Sequence, residues 1–570
     1  MLLCSAFNGL SQRAWALLRA HHQVTARTVH DPEAMADAAA ATDPELIICP
    51  FLRLRIPEVV WRNYRTIIIH PGPEGDRGPS SLDWAIMDAE PRWGVTALQA
   101  IEKLDAGPIW GTRTFPMPTD PPRKSTLYNS QVADVAMSLI SEVVAKAEDP
   151  GFVPRSLEYH RSGTAGRYRP VARQADRGFS WDDSTRHIML RIRAADGSPG
   201  VHTTLAGIAV EVFDAHPGAA APGEPSTIAA RRHGAVLVRT GDGALWVGQA
   251  RRADPADGAT VKLPATLVLG HALDDISEAM EPPEAGEPSG HREISYRRLG
   301  KVGLLRFEFY NGAMSTTQCR RLAAAARYAA AQDTKVLVLA GGEVFSNGVH
   351  LGVIEAHPNP AMEAWRNINA INDLCREIIT CTSQIVVSAL GGGAGAGGVM
   401  LALAADRVIA RDGVMLNPHY ATMGLYGSEY WTYVLPRRVG EAQARRLTTR
   451  CEPISAADAV DVGMVDQLAV SDTERFTAAA LDYASDLATS TQLRTLLHDK
   501  QAVRAADEQR RPLDSYRARE LAEMRRDIFD DRHGFTEARR AFLTNRATGP
   551  TAGDHAKVPT PGPRRVGPTR

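Results

Sequence analysis

Two places in this chain gather residue types that could do chemistry. In the run TIIIHPGPEGDRGPSSLDWAIMDAEPRWGVTALQAIEKLDAGPIW, residues 66–110, His70 stands just past a buried apolar strand. Pro71, Gly72 and Pro73 then force an irregular loop of the kind that lines clefts. Asp105 lies in a second turn, LDAGP. A histidine and a carboxylate on neighbouring loops can form a general acid–base pair, the carboxylate orienting the imidazole and raising its basicity. The plainer reading is a structural histidine at a strand end, and residue types alone favour it.

The second place is GGGAGAGG, residues 391–398, between an apolar strand and a helical pattern. Backbone N–H groups can converge on one oxygen only where no side chain blocks the approach, and a glycine turn entering a helix supplies such groups. The competing readings are a phosphate-cradling loop and close strand–helix packing. The lysine of a phosphate loop is missing, and no acidic residue follows where a dinucleotide fold needs one. A weaker candidate is AFNGLSQRAW, where Asn8, Gln12 and Arg13 follow a first strand and could face the same cleft as His70. A polar turn capping a helix explains them equally well.

Elements to position these residues can be read along all 570 residues. Residues 1–170 alternate apolar runs (LLCSAF, ELIICPF, TIIIHPG) with helical patterns (SQRAWALLRAHH, SSLDWAIMDA), as in a parallel α/β domain. Within residues 171–277, HIMLRIRA, VHTTLAGIAVEVFDA, AVLVRT and ALWVGQA read as strands of a small β-barrel-like domain. A Pro, Glu and Gly-rich linker at 278–294 leads to a second α/β domain at 295–475, with strands at VGLLRFEF, KVLVLAGG, QIVVSAL and DRVIA. Residues 476–546 are helical, with one packed face and many arginines read as a solvated face, and 547–570 form a disordered tail.

A formal net charge of -1 gives no support to a nucleic-acid or membrane-surface partner, and no apolar run reaches the length of a membrane span. Six cysteines without metal-ligand spacing point to no metal, to buried reduced thiols and to the cytoplasm.

HPG…RGPSSLDWAI…GVTALQAIEKLDAGPIW resembles the formyltransferases that use formyl-tetrahydrofolate, with His70, Asp105 and Gly107 at matching positions. That resemblance implies catalysis by His70 and Asp105, with Gly107 near the substrate. The family's asparagine is Ile68 here, which removes an amide that would help hold the formyl oxygen. The order VLAGGEVFSNGVHL, GGGAGAGG, DRVIA, PISAADAVDVGMVDQL resembles the crotonase (enoyl-CoA hydratase/isomerase) superfamily. It implies that the amides of Val349 and Gly397 polarise a thioester carbonyl. The superfamily's two hydratase glutamates fall at Met400 and Tyr420, and the aspartate of its first motif at His350. Tyr420, with Glu429 nearby, is what remains for proton chemistry.

Over nearly the full length, AFNGLSQR, HPGPEGDRGPSSLDWAI, YNGAMST and LYGSEYWTYVLPRRVG resemble the HypX/HoxX family of hydrogenase maturation factors. This implies formyl transfer from formyl-tetrahydrofolate to coenzyme A, then decarbonylation of formyl-CoA to give carbon monoxide. It also implies small-molecule substrates and partners among nickel–iron hydrogenase maturation proteins. Two other functions stay open. One is a formyl-tetrahydrofolate hydrolase or small-amine formyltransferase with a structural crotonase half; the other is a non-catalytic scaffold that binds folate or CoA.

Overall fold

The computed structural model describes residues 1–157, 166–253, 261–279, 290–470 and 472–544. The first sheet has the spatial order Ala26–Thr28, Leu2–Cys4, Ile47–Phe51, Thr66–His70, Arg92–Gln99, Ile109–Pro116. Its first four strands run parallel, and the last two are antiparallel. Period-two alternation in Thr66–His70 buries Ile67 and Ile69 in one core cluster and sends Ile68 to another. His70 shares the face of Ile68 and ends the strand, on the sheet edge where open α/β folds place their ligands.

The β-rich segment is an antiparallel sheet in the order Val201–Leu205, Ile208–Pro217, Ala244–Arg252, Ala235–Arg239, Ile228–Arg232, with Leu263–Pro264 added to Ala244–Arg252. One expected strand is a helix. HIMLRIRA lies in Thr185–Ala195, whose start is capped by Ser184 accepting from the His187 N–H. This helix is packed on two sides. Ile188, Met189, Ile192 and Ala195 enter the core of the β-rich domain, while Leu190 and Ala194 enter that of the first domain. Two apolar stripes on one helix imitate the alternation of a strand, which is why periodicity misled here.

The third sheet runs Ile294–Leu299, Val302–Phe307, Val336–Gly341, Ile385–Leu390, Arg407–Arg411, Gln467–Ala469; only its first pair is antiparallel. Beside it stand two short sheets, Ala313–Met314 with Gly348–Val349, and Ala394–Gly395 with Met415–Asn417 and Ile454–Ser455. A bridge between Ser346 and Ala394 ties them together.

Four helices follow, Thr473–Thr489, Leu493–Arg510, Leu513–Phe529 and Phe535–Leu543. The first lays Phe476, Ala480 and Ala484 on the sheet, four residues apart as a helical face requires. The arginines are not simply a solvated face. Arg539 is buried against Glu355, and Arg517 reaches Asp373. Most of the linker, 280–289, and the expected tail lie outside the described residues. Five of the six cysteines are buried, and all six are free thiols. No helix among the described residues is long and apolar enough to cross a membrane.

Candidate active sites

His70 is 4% exposed. Its Nε2 lies 2.9 Å from Asp76 Oδ2, while Nδ1 stands 3.8 Å from Asp105 Oδ2, beyond hydrogen-bonding length. Asp105 is in the left-handed region (φ 50°) and accepts the Gly78 N–H at 3.1 Å, which ties the LDAGP turn to the loop after His70. The structure therefore brings the expected pair near each other without a direct hydrogen bond, and it adds a third member, Asp76. Asp76 was legible as an acid six residues after the histidine, inside a Pro- and Gly-rich loop. Gly72 makes the contact possible, since a Cβ there would fall 2.3 Å from Asp76 Oδ2 and 2.6 Å from His70 Nε2. The Pro71 carbonyl accepts from Ser81 Oγ and Trp93 Nε1, and Thr96 Oγ1 donates to the Gly72 carbonyl, so the loop is fixed from three sides. Burial alone would lower the His70 pKa. The hydrogen bond to Asp76 and the charges of Asp105 and Asp76 reverse this and leave it raised.

Gly107 follows in the same turn, where a Cβ would lie 1.8 Å from the Gln99 carbonyl oxygen. Its glycine is explained by backbone contact. Ile68 is half-buried on the face of His70, which leaves that strand end with one polar side chain instead of two.

In the third domain the glycine run does two jobs. A Cβ at Gly392 would fall 1.8 Å from the Glu343 carbonyl, and one at Gly398 would fall 1.9 Å from that of Ser346. These two serve close backbone packing. Gly397 opens the helix Gly397–Leu403, and the atoms a Cβ would meet there belong to the Glu429 carboxyl group, with Cδ at 2.7 Å. Val349 lies in the short strand Gly348–Val349; a Cβ on Gly348 would come 3.3 Å from the Gly397 nitrogen. The structure thus brings Val349, Gly397 and Glu429 to one place.

Tyr420 is there too. Its hydroxyl donates to Glu429 Oε2 at 2.8 Å and lies 3.2 Å from the Ser428 carbonyl, while Ser428 Oγ donates to Glu429 Oε1 at 2.8 Å. Tyr420, Ser428 and Glu429 are buried. Burial raises the pKa of Glu429, against the opposing hydrogen bonds from Tyr420 and Ser428. Burial and then the Glu429 charge raise that of Tyr420. The Tyr420 ring lies flat on Gly427, where a Cβ would be 2.4 Å from a ring carbon. Met400, at one hydratase-glutamate position, is fully buried core. His350 caps the helix Leu351–Ala356, its Nδ1 accepting the Val353 N–H. Burial pushes its pKa down to about 4, so the imidazole is neutral and does the capping work of an aspartate.

Glu429 and Tyr430 both adopt positive φ, 61° and 57°. Such backbone costs of order 1 kcal/mol or more per residue unless its surroundings enforce it. The enforcers are polar. The Glu429 N–H donates to Asn372 Oδ1, the Tyr430 N–H to Glu520 Oε2, and Thr432 donates twice to Glu520 Oε1. One turn pair further along the helix Leu513–Phe529, Asp527 accepts the Tyr426 N–H. The C-terminal helices therefore build the wall behind the site, which sequence reasoning missed.

Asn8 caps the helix Gly9–Arg19 by accepting the Ser11 N–H. Gln12 accepts from Asn417 of the third domain, and Arg13 pairs with Asp134 and lies against Gly413. Asn8 thus caps a helix, Gln12 and Arg13 lie where the first domain meets the third, and among the described residues none of the three is hydrogen-bonded to His70. A second seam is more heavily charged. Arg123 of the first domain pairs with Asp214 of the second (3.1 Å) and Glu343 of the third (2.7 Å). Tyr310 of the third domain donates to Asp196 of the second. Asp214, His216 and His291 also bring one ligand-type atom each within 4.8 Å of one another. Arg123 and His216 already share Asp214 Oδ1, and the guanidinium charge opposes a cation there.

The chain joins a formyltransferase-type part to a crotonase-type part. Residues 172–260 match the formyl transferase C-terminal domain, and 301–547 match enoyl-CoA hydratase/isomerase. The chain is 42% identical over 547 residues to hydrogenase maturation factor HoxX of Bradyrhizobium diazoefficiens, covering 95% of this chain and 94% of that one. The crystal structure of HypX from Aquifex aeolicus in complex with tetrahydrofolic acid superposes with a TM-score of 0.91 at 37% identity, covering 96% of each chain. Methionyl-tRNA formyltransferase of Sorangium cellulosum is 26% identical over 200 residues, 35% of this chain and 61% of its own length. The chain belongs to the HypX/HoxX family of hydrogenase maturation factors.

Proposed function

We propose that this protein makes carbon monoxide for the nickel–iron hydrogenase active site, in two steps on one chain. Formyl-tetrahydrofolate gives its formyl group to the thiol of coenzyme A in the first domain, with His70 handling the proton and Asp105 beside it. The thiol sulfur attacks the formyl carbon, the C–N bond to the folate breaks, and the folate nitrogen takes up a proton. In the third domain the Val349 and Gly397 amides hold the thioester oxygen. Glu429 takes the formyl hydrogen as a proton, the carbon–sulfur bond breaks with its electrons going to sulfur, and Tyr420 returns a proton to the thiolate. Carbon monoxide and CoA leave, and CoA is recycled.

The observation that carries this reading is the Tyr420–Glu429 hydrogen bond set directly against Gly397. The two hydratase glutamate positions of the crotonase pattern are Met400 and Tyr420 here, so the two-carboxylate arrangement for adding water to a carbon–carbon double bond is missing. A formyl thioester has no such bond. Its breakdown needs one base and one acid in a dry pocket, and the buried Glu429 and Tyr420 supply those. Tetrahydrofolic acid in the Aquifex aeolicus relative supports the donor. Purified protein given formyl-tetrahydrofolate and CoA is expected to release carbon monoxide, trapped by reduced haemoglobin. No carbon monoxide from the wild type, with Tyr420→Phe indistinguishable from it, overturns the reading.

A further inference from the structure

We propose that Asp76 is a positioning residue for formyl transfer: by taking Nε2 of His70 it fixes the ring and reserves the Nδ1 edge, which faces Asp105, for the reacting groups. The inference rests on the function proposed above. Its geometry does not depend on that function. Asp76 is 2% exposed, one oxygen sits 2.9 Å from His70 Nε2, and its other oxygen, Oδ1, is buried without a hydrogen-bond partner among the described residues. A buried carboxylate oxygen left unmatched is costly, so the group is retained at the expense of stability. Gly72 has given up its side chain to let the contact form.

The position also answers a deficit. The strand end that bears an amide beside the histidine in the formyltransferases bears Ile68 here, so His70 is the one polar side chain on that stretch of strand available to the formyl group. The charges that bear on His70 come from two elements, Asp76 on its own loop and Asp105 on the loop after Arg92–Gln99. Flanked by both, the ring is held protonated further into the neutral range than a lone histidine. A protonated ring donates; it can polarise the formyl oxygen and then give its proton to the departing folate nitrogen. The thiol nucleophile needs less help from a base than an amine substrate would, because a free thiol already loses its proton near pH 8.5. Proton and bond count close: the thiol proton leaves to solvent, the carbon–sulfur bond forms, the carbon–nitrogen bond breaks, and the nitrogen receives the His70 proton.

The test uses the full-length protein with Asp76→Asn, which keeps shape and removes charge, and Asp76→Glu, which keeps charge on a longer arm. Two quantities are read: the rate of formyl transfer from formyl-tetrahydrofolate to CoA across pH, and the His70 ring titration by NMR on ring-labelled histidine, its signal assigned by loss in His70→Gln. For Asp76→Asn the titration midpoint is expected to fall by about one unit or more. Its kcat at neutral pH is expected to fall roughly tenfold or more, with KM for the folate within about threefold. Asp76→Glu should keep most of the titration shift and recover part of the rate. A His70 midpoint unchanged in Asp76→Asn overturns the proposal, whether or not the rate falls; so does an unchanged rate. If Asp76→Asn does not fold, wild-type rate in Asp76→Glu overturns it, because a longer arm must turn the ring. The titration needs no CoA, so it tests the Asp76–His70 coupling even if the wild type forms no formyl-CoA, an outcome that overturns the proposed function and with it a role in formyl transfer.

Discussion

The two candidate sites hold their titratable groups in opposite electrostatic settings. In the first, an imidazole stands between Asp76 and Asp105, and the nearby charges overcome burial and favour its cation. In the second, Glu429 and Tyr420 face each other with no cation among their hydrogen-bond partners in the described residues, and burial drives both pKa values up. A charged donor suits a transfer in which negative charge builds on the formyl oxygen and the leaving nitrogen. A carboxylate deprived of water is a stronger base than usual, which suits removal of a formyl hydrogen. The difference is made by what lies behind each group: strand-end loops with two acids in one case, a wall of Asn372 and Glu520 in the other.

The contrast breaks most visibly at Glu429. Glu429→Gln should lower carbon monoxide release about a thousandfold while formyl-CoA still accumulates, as mass spectrometry of the acid-quenched reaction would show. Loss of both products together would mean that the sites are not separable. Tyr420→Phe is expected to cost roughly a hundredfold in the same assay, because water can return the proton to sulfur more slowly. Gly397→Ala places a methyl against the Glu429 carboxyl and should cost about tenfold or more in carbon monoxide release with folate binding unchanged.

Glu520 tests the wall. Glu520→Ala leaves the Tyr430 and Thr432 donors buried and is expected to lower unfolding free energy by about 3 kcal/mol in urea titration. Burial pushes Glu520 up to about 8 against its hydrogen bonds. A carboxyl group whose folded pKa exceeds its unfolded one stabilises fully below about 4.5, and that contribution is lost as pH rises through 8. The wild type should therefore lose stability between those values, and Glu520→Ala should lose less. A parallel pH dependence in both proteins would remove Glu520 from the account.

How much of this could be read beforehand depends on whether the signal is local. His70, Asp105 and the glycine run announce themselves, because a strand end, a tight turn and bare backbone are short-range patterns. The Thr185–Ala195 helix was read as a strand because its partners on two sides lie in different domains, and a single sequence shows only the sum of both stripes. Glu520 and Asp527 were illegible for a related reason. They sit among arginines on a charged helix, and only the folded chain shows that they share a buried face with Met524 and Ile528. Asp76 falls between these cases: near in sequence, but hidden by a loop that offers Glu74 and Asp76 alike. Gln12 and Arg13 drew attention for their polarity, and only the folded chain shows their partners Asn417 and Asp134.

The Arg123 seam has a consequence for inheritance. One guanidinium is shared by carboxylates from the second and third domains, and removing one member of a buried ion pair leaves an uncompensated charge worth several kcal/mol. A gene encoding the third domain alone would take Glu343 from both Arg123 and Thr126, while the first two domains alone would keep the Arg123–Asp214 pair. The third-domain side of the seam is therefore the one that such a split leaves without its partners.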